Sequence, residues 1–446
     1  MFMPSVSDQS TIYQRPVELL QNLIRFNTSN PPGNEAECIN YINHLLTAAR
    51  FETTILARDP ARPNLVTRLA GEGNAPPLLL YGHVDVVPTE NQIWQHPPFE
   101  GKLVDGYVWG RGALDDKGGV AMLLAAFLRA KAGGLVPPGD VVLAIMSDEE
   151  TGGDYGARYL LQNHPNLFDG IRYAIGEFGG FTFYIGQRRF YPIMVAEKQP
   201  CLMKATVRGP SGHASSPLRG GATAKLAKLL QQLDQRRLPV HITPVVRQMY
   251  ETVSSALPFP TSLVLRQLLK PVLTDKMLIL LGTRGQAIDP LLHNTVNVTT
   301  IRGGEQIWGV PSKIVVEMAA SLLPGYSPSD LIAELRQIVG EDVELEVVHY
   351  EPSPAEPDMG LFDTLADILR EADPEGIPMP LLLPSPTDGR TFSRLGIQTY
   401  GFLPMKLPAE FDFSKTMHAA DERIPVEALD FGTAAIYKAL QRFGNK

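Results

Sequence analysis

Apolar and polar residues recur with two different periods over the first 190 residues. In some segments the apolar side chains have helical spacing, as Ile39, Ile42 and Leu46 do within residues 35–49. Between these segments lie short, continuously apolar runs that are typical of buried strands. The predicted helices are residues 16–26, 35–49, 117–131 and 155–163, and the predicted strands are residues 64–69, 77–81 and 141–146. This alternation predicts an α/β fold with a mostly parallel mixed sheet flanked by helices.

The pattern changes after about residue 190 and becomes that of a compact α+β module. Its predicted strands are residues 195–208, 294–301, 313–317 and 343–349, and its predicted helices are residues 222–235 and 329–339. The proline-rich residues 351–357 then favour a linker. Helix and strand alternation returns in the last ninety residues.

Composition narrows the class of protein. The chain has 446 residues, of which 44% are hydrophobic and 20% charged, as is typical of a globular protein with two or three domains. Its net charge of −8 and the absence of a basic block argue against a nucleic-acid partner. Cys38 and Cys201 form no disulfide framework, so we predict free buried thiols and a reducing compartment.

The sequence predicts a cytoplasmic protein without a membrane partner. Residues 1–5 lack the basic and apolar regions of a signal peptide. The apolar stretch 257–281 is interrupted by prolines and charges, and it falls short of the ~20 apolar residues that a membrane span needs.

Four candidate metal ligands follow strand-like runs or lie in turn-rich segments. His83, Glu150 and Glu177 each come at or after the end of an apolar run, and Asp115 lies just ahead of the predicted helix 117–131. Because ligands of open α/β sheets bind at the carboxyl ends of strands, these side chains are predicted to converge. Any one of them alone could serve a turn or a helix cap. Together, clustered carboxylates that would otherwise repel one another favour a site occupied by metal.

Two further carboxylates are predicted to assist this site. Asp85 has strand spacing from His83, so it can accept a hydrogen bond from the imidazole and fix its tautomer. Glu149 and Glu150 cannot both point the same way in an extended chain. One of them can therefore ligate a metal ion while the other stays free beside a metal-bound water. A free carboxylate there could take the water's proton and deliver it to the leaving amine.

These segments resemble the di-zinc amidohydrolase and peptidase family of aminoacylase-1, carboxypeptidase G2, carnosine dipeptidase and succinyl-diaminopimelate desuccinylase. The motifs that carry the resemblance occur in the family's order: His83-Val84-Asp85-Val86-Val87-Pro88, Gly110-Arg111-Gly112 with Asp115-Asp116-Lys117-Gly118, and Asp148-Glu149-Glu150. It implies two divalent metal ions, zinc with cobalt or manganese as alternatives. It also implies that Asp115 bridges them, that His83 with Glu177 and Glu150 with His418 complete the two sites, and that Glu149 is the general base.

His418 is placed by the segment His418-Ala419-Ala420-Asp421-Glu422, which is similar to the family's final histidine segment. Taken alone it could be a surface-loop histidine. Since His418 must join the N-terminal ligands, we predict one metal-binding domain from residues 1–190 and 351–446. Residues 191–350 are then an inserted module, which resembles the family's lid and dimerisation domain and implies a homodimer.

The lid segment suggests further site residues and two departures from the family. His213, in Gly212-His213-Ala214, resembles the lid histidine that stabilises the oxyanion in the partner's site, although it could belong to a turn. Arg390 resembles a substrate-facing arginine suited to a carboxylate, although it could be an ordinary structural arginine. Relatives often carry Asn and Arg where this chain has Trp308 and Ser321. These departures leave the usual carboxylate clamp open to question.

The predicted activity is hydrolysis of an amide bond in a small substrate: an N-acyl amino acid, a dipeptide or a C-terminal peptide bond. The apolar stretch 257–281 suggests an apolar acyl group or, equally, a buried lid helix. A catalytically inactive metal-binding or interaction protein of the same fold is the alternative. Asp85 and Glu149 argue against this alternative, and the altered lid positions are its support.

Overall fold

The computed structural model describes residues 11–444, which form two compact units. The first comprises the described part of Met1–Val195 and Thr387–Lys446, together with Asp358–Leu381. The second comprises Ala196–Pro357 and Leu382–Pro386. The domain boundaries predicted after residues 190 and 350 lie close to the observed ones, which follow Val195 and Pro357. The short segment Leu382–Pro386 falls outside the predicted insertion. Residues 1–5, which bear on the signal-peptide prediction, lie outside the described residues.

The large sheet of the first unit has nine strands. They are β1 (Thr53–Leu56), β2 (Asn64–Leu69), β3 (Leu78–His83), β6 (Val141–Met146), β7 (Tyr173–Gly176), β8 (Phe183–Ile185), β9 (Arg188–Glu197), β16 (Gly376–Leu383) and β17 (Gln398–Gly401). Their order is β1-β2-β6-β3-β7-β17-β9-β16, with β8 paired to β9. A smaller sheet has the order β18-β5-β4, with β4 (Lys102–Val104), β5 (Tyr107–Trp109) and β18 (Arg423–Pro425).

Helices flank this sheet, which confirms the predicted α/β class. They are α1 (Pro16–Ile24), α2 (Ala36–Ala48), α3 (Lys117–Ala132), α4 (Ala157–Asn163), α11 (Phe362–Ala372), α12 (Gly389–Ser393), α13 (Phe413–Thr416) and α14 (Val426–Arg442). Parallel pairing joins β6, β3, β7 and β17 in the centre, whereas β1, β2 and β9 pair antiparallel. Strands β3 and β6 are buried along their whole length, because central parallel strands are covered on both faces.

The second unit is built on a four-stranded antiparallel sheet of order β12-β14-β10-β15. Its strands are β10 (Gln199–Arg208), β12 (Thr295–Arg302), β14 (Lys313–Leu322) and β15 (Val343–Tyr350), and β11 (Gly212–His213) pairs with β13 (Gly309–Val310). Helices α5 (Ala222–Gln235) and α10 (Pro328–Val339) pack on the sheet through Leu229 and Leu335. Alternating burial along β14 gives the sheet one covered face.

The second unit has four further helices among the described residues, and two of them lie in the stretch 257–281, where one interpretation was a buried lid helix. That stretch is helical, but it is divided into two helices and most of it is not buried. The four helices are α6 (Pro244–Ala256), α7 (Thr261–Leu268), α8 (Pro271–Leu281) and α9 (Thr283–Ile288). Prolines begin α6 and α8, and Gly282 ends α8, so the chain folds into short successive helices. Of all the helices within residues 11–444, none is long and apolar enough to cross a bilayer.

Candidate active site

The first part of the site lies at the carboxyl end of β3. His83 is the last residue of that strand and is buried. Its Nε2 atom lies 3.1 Å from Oδ1 of Asp115 and 3.6 Å from Oε2 of Glu177. Glu177 directly follows β7, the strand paired with β3, so neighbouring parallel strands bring both groups to one edge of the sheet.

The second part forms around His418. Its Nε2 atom lies 3.0 Å from Oδ2 of Asp115 and 3.3 Å from Oε1 of Glu150. Asp115 therefore presents one carboxylate oxygen to each histidine. All five candidate ligands named from the sequence are brought together in this way.

Asp85 is buried beneath the cluster and contacts several of its residues. His83 Nδ1 lies 3.1 Å from the Asp85 backbone oxygen and 3.3 Å from its Oδ1 atom. The backbone N–H groups of Glu149 and Glu150 donate to Oδ1 and Oδ2 of Asp85, each at 3.1 Å. The expectation of an extended Glu149-Glu150 pair is wrong, since the two residues begin a 3-10 turn, Glu149–Thr151. One carboxylate thus positions both the imidazole and this turn.

Burial and charge shift the proton affinities of the cluster. Burial raises the pKa of Glu177 to about 7, against the hydrogen bond from His83. Burial, reinforced by the Glu177 charge, raises the pKa of Glu149 well above its usual range. Burial works against ionisation of Asp115, but hydrogen bonds from His418 and His83 lower its pKa. Hydrogen bonds to Asp115 and Glu150 raise the pKa of His418 to about 10.

The arrangement fits divalent cations. One ligand atom from each of His83, Glu149 and Glu177 lies within 4.8 Å of the others, and the same holds for His83, Asp115 and Glu150. Oε1 of Glu177 is buried and has no hydrogen-bond partner among residues 11–444. A buried carboxylate oxygen without a donor needs a compensating charge, which a cation supplies. Imidazole nitrogens and carboxylate oxygens are also donors that zinc accepts.

A buried ion pair that the sequence did not reveal supports two of these loops. Arg111 and Glu422 are both fully buried and joined through Nη1 and Oε2. The other Glu422 oxygen accepts from the backbone N–H groups of Leu114 at 2.8 Å and Asp115 at 3.2 Å. Nη2 of Arg111 donates to the backbone oxygen of His418 at 3.1 Å. The pair therefore connects the Asp115 loop to the His418 loop, although 311 residues separate its members.

Asn30 provides a second support missed from the sequence. Its Nδ2 atom donates to Oδ2 of Asp85 at 2.9 Å and to Oδ1 of Asp148 at 3.1 Å. Arg62 holds the same Asp148 oxygen at 3.0 Å and pairs with the buried Glu35 at 2.7 Å. These contacts fix Asp148, whose φ of +72° starts the turn that carries Glu149. Only the fold brings these distant positions together.

Arg390 lies half-buried in α12. The nearby carboxylate of Asp388 interacts electrostatically with the cluster. Burial raises the pKa of Asp388 to about 6, although the charges of His83 and Arg390 oppose this shift. The charge of Asp388 in turn contributes to the raised pKa values of Glu149 and Glu177. Asp388 lies two residues before Arg390, and it received no role from the sequence alone. Asp116 occupies the N-cap position of α3 without a side-chain capping hydrogen bond.

The walls beside Asp115 and Glu177 are largely apolar. A cavity of about 10 Å³ lies there, lined among others by Phe178, Phe181 and Met417. Its volume admits about one water molecule. Apolar walls of this kind keep bulk water from the carboxylates, which is consistent with the raised pKa of Glu177.

His213 and the two altered lid positions belong to the second unit. His213 is exposed on β11, where its Nδ1 atom lies 2.8 Å from Oγ of Ser215. Its ring stacks with that of Trp308 at 6.4 Å and 6°. Ser321 lies in β14, and its Oγ atom is 3.5 Å from the backbone oxygen of Pro384. Trp308 is thus an exposed aromatic surface held beside the candidate oxyanion-stabilising histidine.

Comparison with known proteins agrees with this geometry. Residues 79–442 match the model of the peptidase family M20/M25/M40. The chain is 27% identical over 372 residues to a probable carboxypeptidase S-like 2 of Dictyostelium discoideum, covering 79% of this chain and 68% of that protein. It is also 27% identical over 392 residues to the N-fatty-acyl-amino acid synthase/hydrolase PM20D1 of Homo sapiens, covering 85% and 76%.

Solved structures share the fold. The dipeptidase Dug1p of Saccharomyces cerevisiae superposes with a TM-score of 0.65 at 14% identity, covering 99% of this chain and 98% of that one. Human carnosine dipeptidase 1 superposes with a TM-score of 0.61 at 14% identity, covering 99% of each chain. The resemblance inferred from the motifs is confirmed. The chain belongs to the peptidase family M20/M25/M40 and is a metal-dependent hydrolase of amide or peptide bonds.

Proposed function

We propose that this protein is a two-metal hydrolase that cleaves the amide bond of N-acyl amino acids with an apolar acyl group. The observation that supports it most is the Asp115 carboxylate, whose oxygens lie 3.1 Å from His83 Nε2 and 3.0 Å from His418 Nε2. A carboxylate whose two oxygens each face a different imidazole is suited to bridge two cations.

In this proposal Asp115 is shared between two metal sites. His83 and Glu177 complete one site, and Glu150 and His418 complete the other. Zinc is the proposed metal because imidazole and carboxylate donors suit it, with cobalt or manganese as alternatives. Two such cations would lower the pKa of water and polarise a carbonyl group.

Glu149 is the proposed general base and acid. Its burial and the neighbouring charge of Glu177 raise its pKa, so it has a high affinity for the proton that a nucleophilic water must lose. The same carboxyl group can then donate this proton to the nitrogen of the leaving amine. Asp85, which holds the Glu149 N–H at 3.1 Å, positions the base and the His83 ring together.

Substrate recognition is assigned to three further features. Arg390 would bind the free carboxylate of the substrate through its two-pronged donor geometry. His213 would stabilise the oxyanion in the site of a second copy, which makes the protein a homodimer through its second unit. Two observations support an apolar acyl group: the relative whose name specifies N-fatty-acyl-amino acids, and Trp308 in place of the family's usual asparagine.

An inactive metal-binding protein is not favoured. Five other residues supply the proposed ligands, yet the half-buried Glu149 carboxylate lies beside them and the buried Asp85 lies beneath them. Asp85 additionally makes four hydrogen-bond contacts that orient the catalytic turn and imidazole, from Asn30, His83, Glu149 and Glu150.

Removal of metal tests the proposal. Dialysis against a chelator is expected to abolish amide hydrolysis, and zinc, cobalt or manganese should restore it to different extents. Mass spectrometry should find about two ions per reconstituted chain, since the five proposed ligands form two sites that share Asp115. The substrates compared are N-acyl amino acids of increasing acyl length, dipeptides and succinylated amines. Activity that survives chelation would contradict the metal mechanism, and highest kcat/KM on dipeptides would contradict the substrate class.

Replacement of Trp308 tests the apolar preference separately. Trp308→Asn is expected to lower kcat/KM for apolar N-acyl substrates by roughly 10-fold, the scale for losing part of an apolar contact. The kcat/KM for succinylated substrates should fall less or rise, because the side-chain amide of the new asparagine can hydrogen-bond the polar succinyl group. Ile307→Asn is the control, because Ile307 is a neighbouring exposed apolar residue, and it is Trp308 whose ring stacks with that of His213. Equal losses for both variants, or for both substrate classes, would refute this role.

A further inference from the structure

Helix α8 is mostly apolar yet lies at the surface of the second unit. Eight of its 11 residues are apolar, and only Thr274 and Leu278 are buried. The exposed fractions of Val272, Ile279 and Leu280 are 87%, 69% and 74%. The apolar face of a helix is normally covered by other apolar groups, and a surface helix turns its polar face to the solvent. Some apolar medium is therefore expected to cover this face.

The exposed apolar surface extends to the preceding helix. Phe259, in the turn before α7, and Leu263, within α7, are both exposed. Helix α7 packs against α8, so these side chains belong to the same helical segment, residues 257–288. Exposed apolar patches of more than a few hundred Å² mark binding surfaces rather than ordinary protein surface.

The same segment carries unbalanced positive charge. Arg266, Lys270, Lys276 and Arg284 are exposed. Its one carboxylate, Asp275, lies 3.2 Å from His293. This local excess of cations contrasts with the net charge of −8 of the whole chain.

The position of the cations suits an interface between water and lipid. Lys276 is four residues from both Val272 and Leu280 and so lies between them on the exposed face of α8. Its long apolar stem can cover such a surface while the ammonium group extends to an anionic headgroup. An open groove of about 670 Å³ is lined by the cations Arg247, Arg266 and Lys270 and by one carboxylate, Glu251. Cations of this kind bind phosphate oxygens.

We propose that residues 257–288 dock on an anionic lipid surface, with α8 lying in the plane of the interface. The apolar side chains would enter the acyl boundary, and the basic residues would meet the headgroups. At 11 residues α8 is far too short to span a bilayer, which takes ~20. A second copy of the chain is a poorer occupant, because two positively charged segments would face each other.

Vesicle binding of the full chain tests this docking surface. Flotation is done with vesicles of equal parts phosphatidylglycerol and phosphatidylcholine, and with phosphatidylcholine alone, at low and high salt. We expect the protein to bind the anionic vesicles and to be released by salt. Val272→Ser/Ile279→Ser/Leu280→Ser and, separately, Arg266→Gln/Lys270→Gln should each weaken binding at least ~10-fold, as loss of apolar insertion or of headgroup attraction predicts.

The control replaces exposed apolar residues elsewhere, Val136→Ser and Val348→Ser, and should bind as the unmodified protein does. Amide hydrolysis in solution and the melting temperature report whether each variant is folded. If the triple variant is not folded, the binding of the charge variant decides the test. Absence of binding to anionic vesicles would overturn the proposal, as would binding that neither variant weakens. A dimer in analytical ultracentrifugation that the triple variant dissociates would assign the face to a second copy instead.

Discussion

Replacing Glu149 by glutamine is expected to reduce kcat by at least ~100-fold, the scale of lost general acid–base catalysis. Glutamine keeps the size of the side chain but cannot take a proton from water or return one to the leaving amine. About two metal ions per chain should remain bound, because the five proposed ligands are untouched. Steady-state kinetics and metal content measured on the same preparation check both statements.

The metal content separates two roles that the geometry allows for Glu149. Its carboxylate lies within 4.8 Å of ligand atoms of His83 and Glu177, so it could itself hold a cation. In that case Glu149→Gln would lose metal together with activity. Glu150→Gln is the matched control: it changes the adjacent residue of the same 3-10 turn and is expected to weaken metal binding. Full activity of Glu149→Gln with metal bound would refute the assigned role.

Four of the five candidate ligands could be found from the sequence because each has a local signal, whereas His418 was placed by the family resemblance of its segment. His83 and Glu177 end or follow runs of buried apolar residues, and strands of that kind lie side by side in a sheet. Helix α3 was likewise visible, since Gly133-Gly134 stops its apolar pattern and Asp115 and Asp116 precede it. Chain order and local pattern were enough to place these groups at one edge.

The supports of the site have no such signal. Asn30 contacts Asp85 and Asp148 only because the fold joins positions 55 and 118 residues apart. The antiparallel edges of the large sheet were also not foreseen, since apolar runs reveal buried strands but not their direction. Helices α6 and α9 were not predicted, and α7 and α8 were expected at most as one buried helix, because prolines and charges interrupt the apolar pattern that a longer helix would show.

Separating Arg111 from Glu422 is expected to destabilise the first unit and disable its site together. Arg111→Met leaves the Glu422 carboxylate buried without its cation, which typically lowers the free energy of unfolding by about 3–5 kcal/mol. It also removes the donor at 3.1 Å from the backbone oxygen of His418. Metal affinity and kcat should therefore fall even at temperatures where the variant is fully folded.

Two comparisons make this result specific to the buried pair. Arg208→Met breaks an ion pair with Glu344 in which both side chains are more than half exposed, and solvent screening leaves such pairs little effect on stability. Glu422→Gln keeps an oxygen that can accept from the N–H groups of Leu114 and Asp115, so its effect should be smaller than that of Arg111→Met. Denaturant unfolding, metal titration and kinetics on the three variants distinguish the outcomes. If Arg111→Met lost stability but bound metal and turned over normally, the pair would hold the fold without positioning Asp115 and His418.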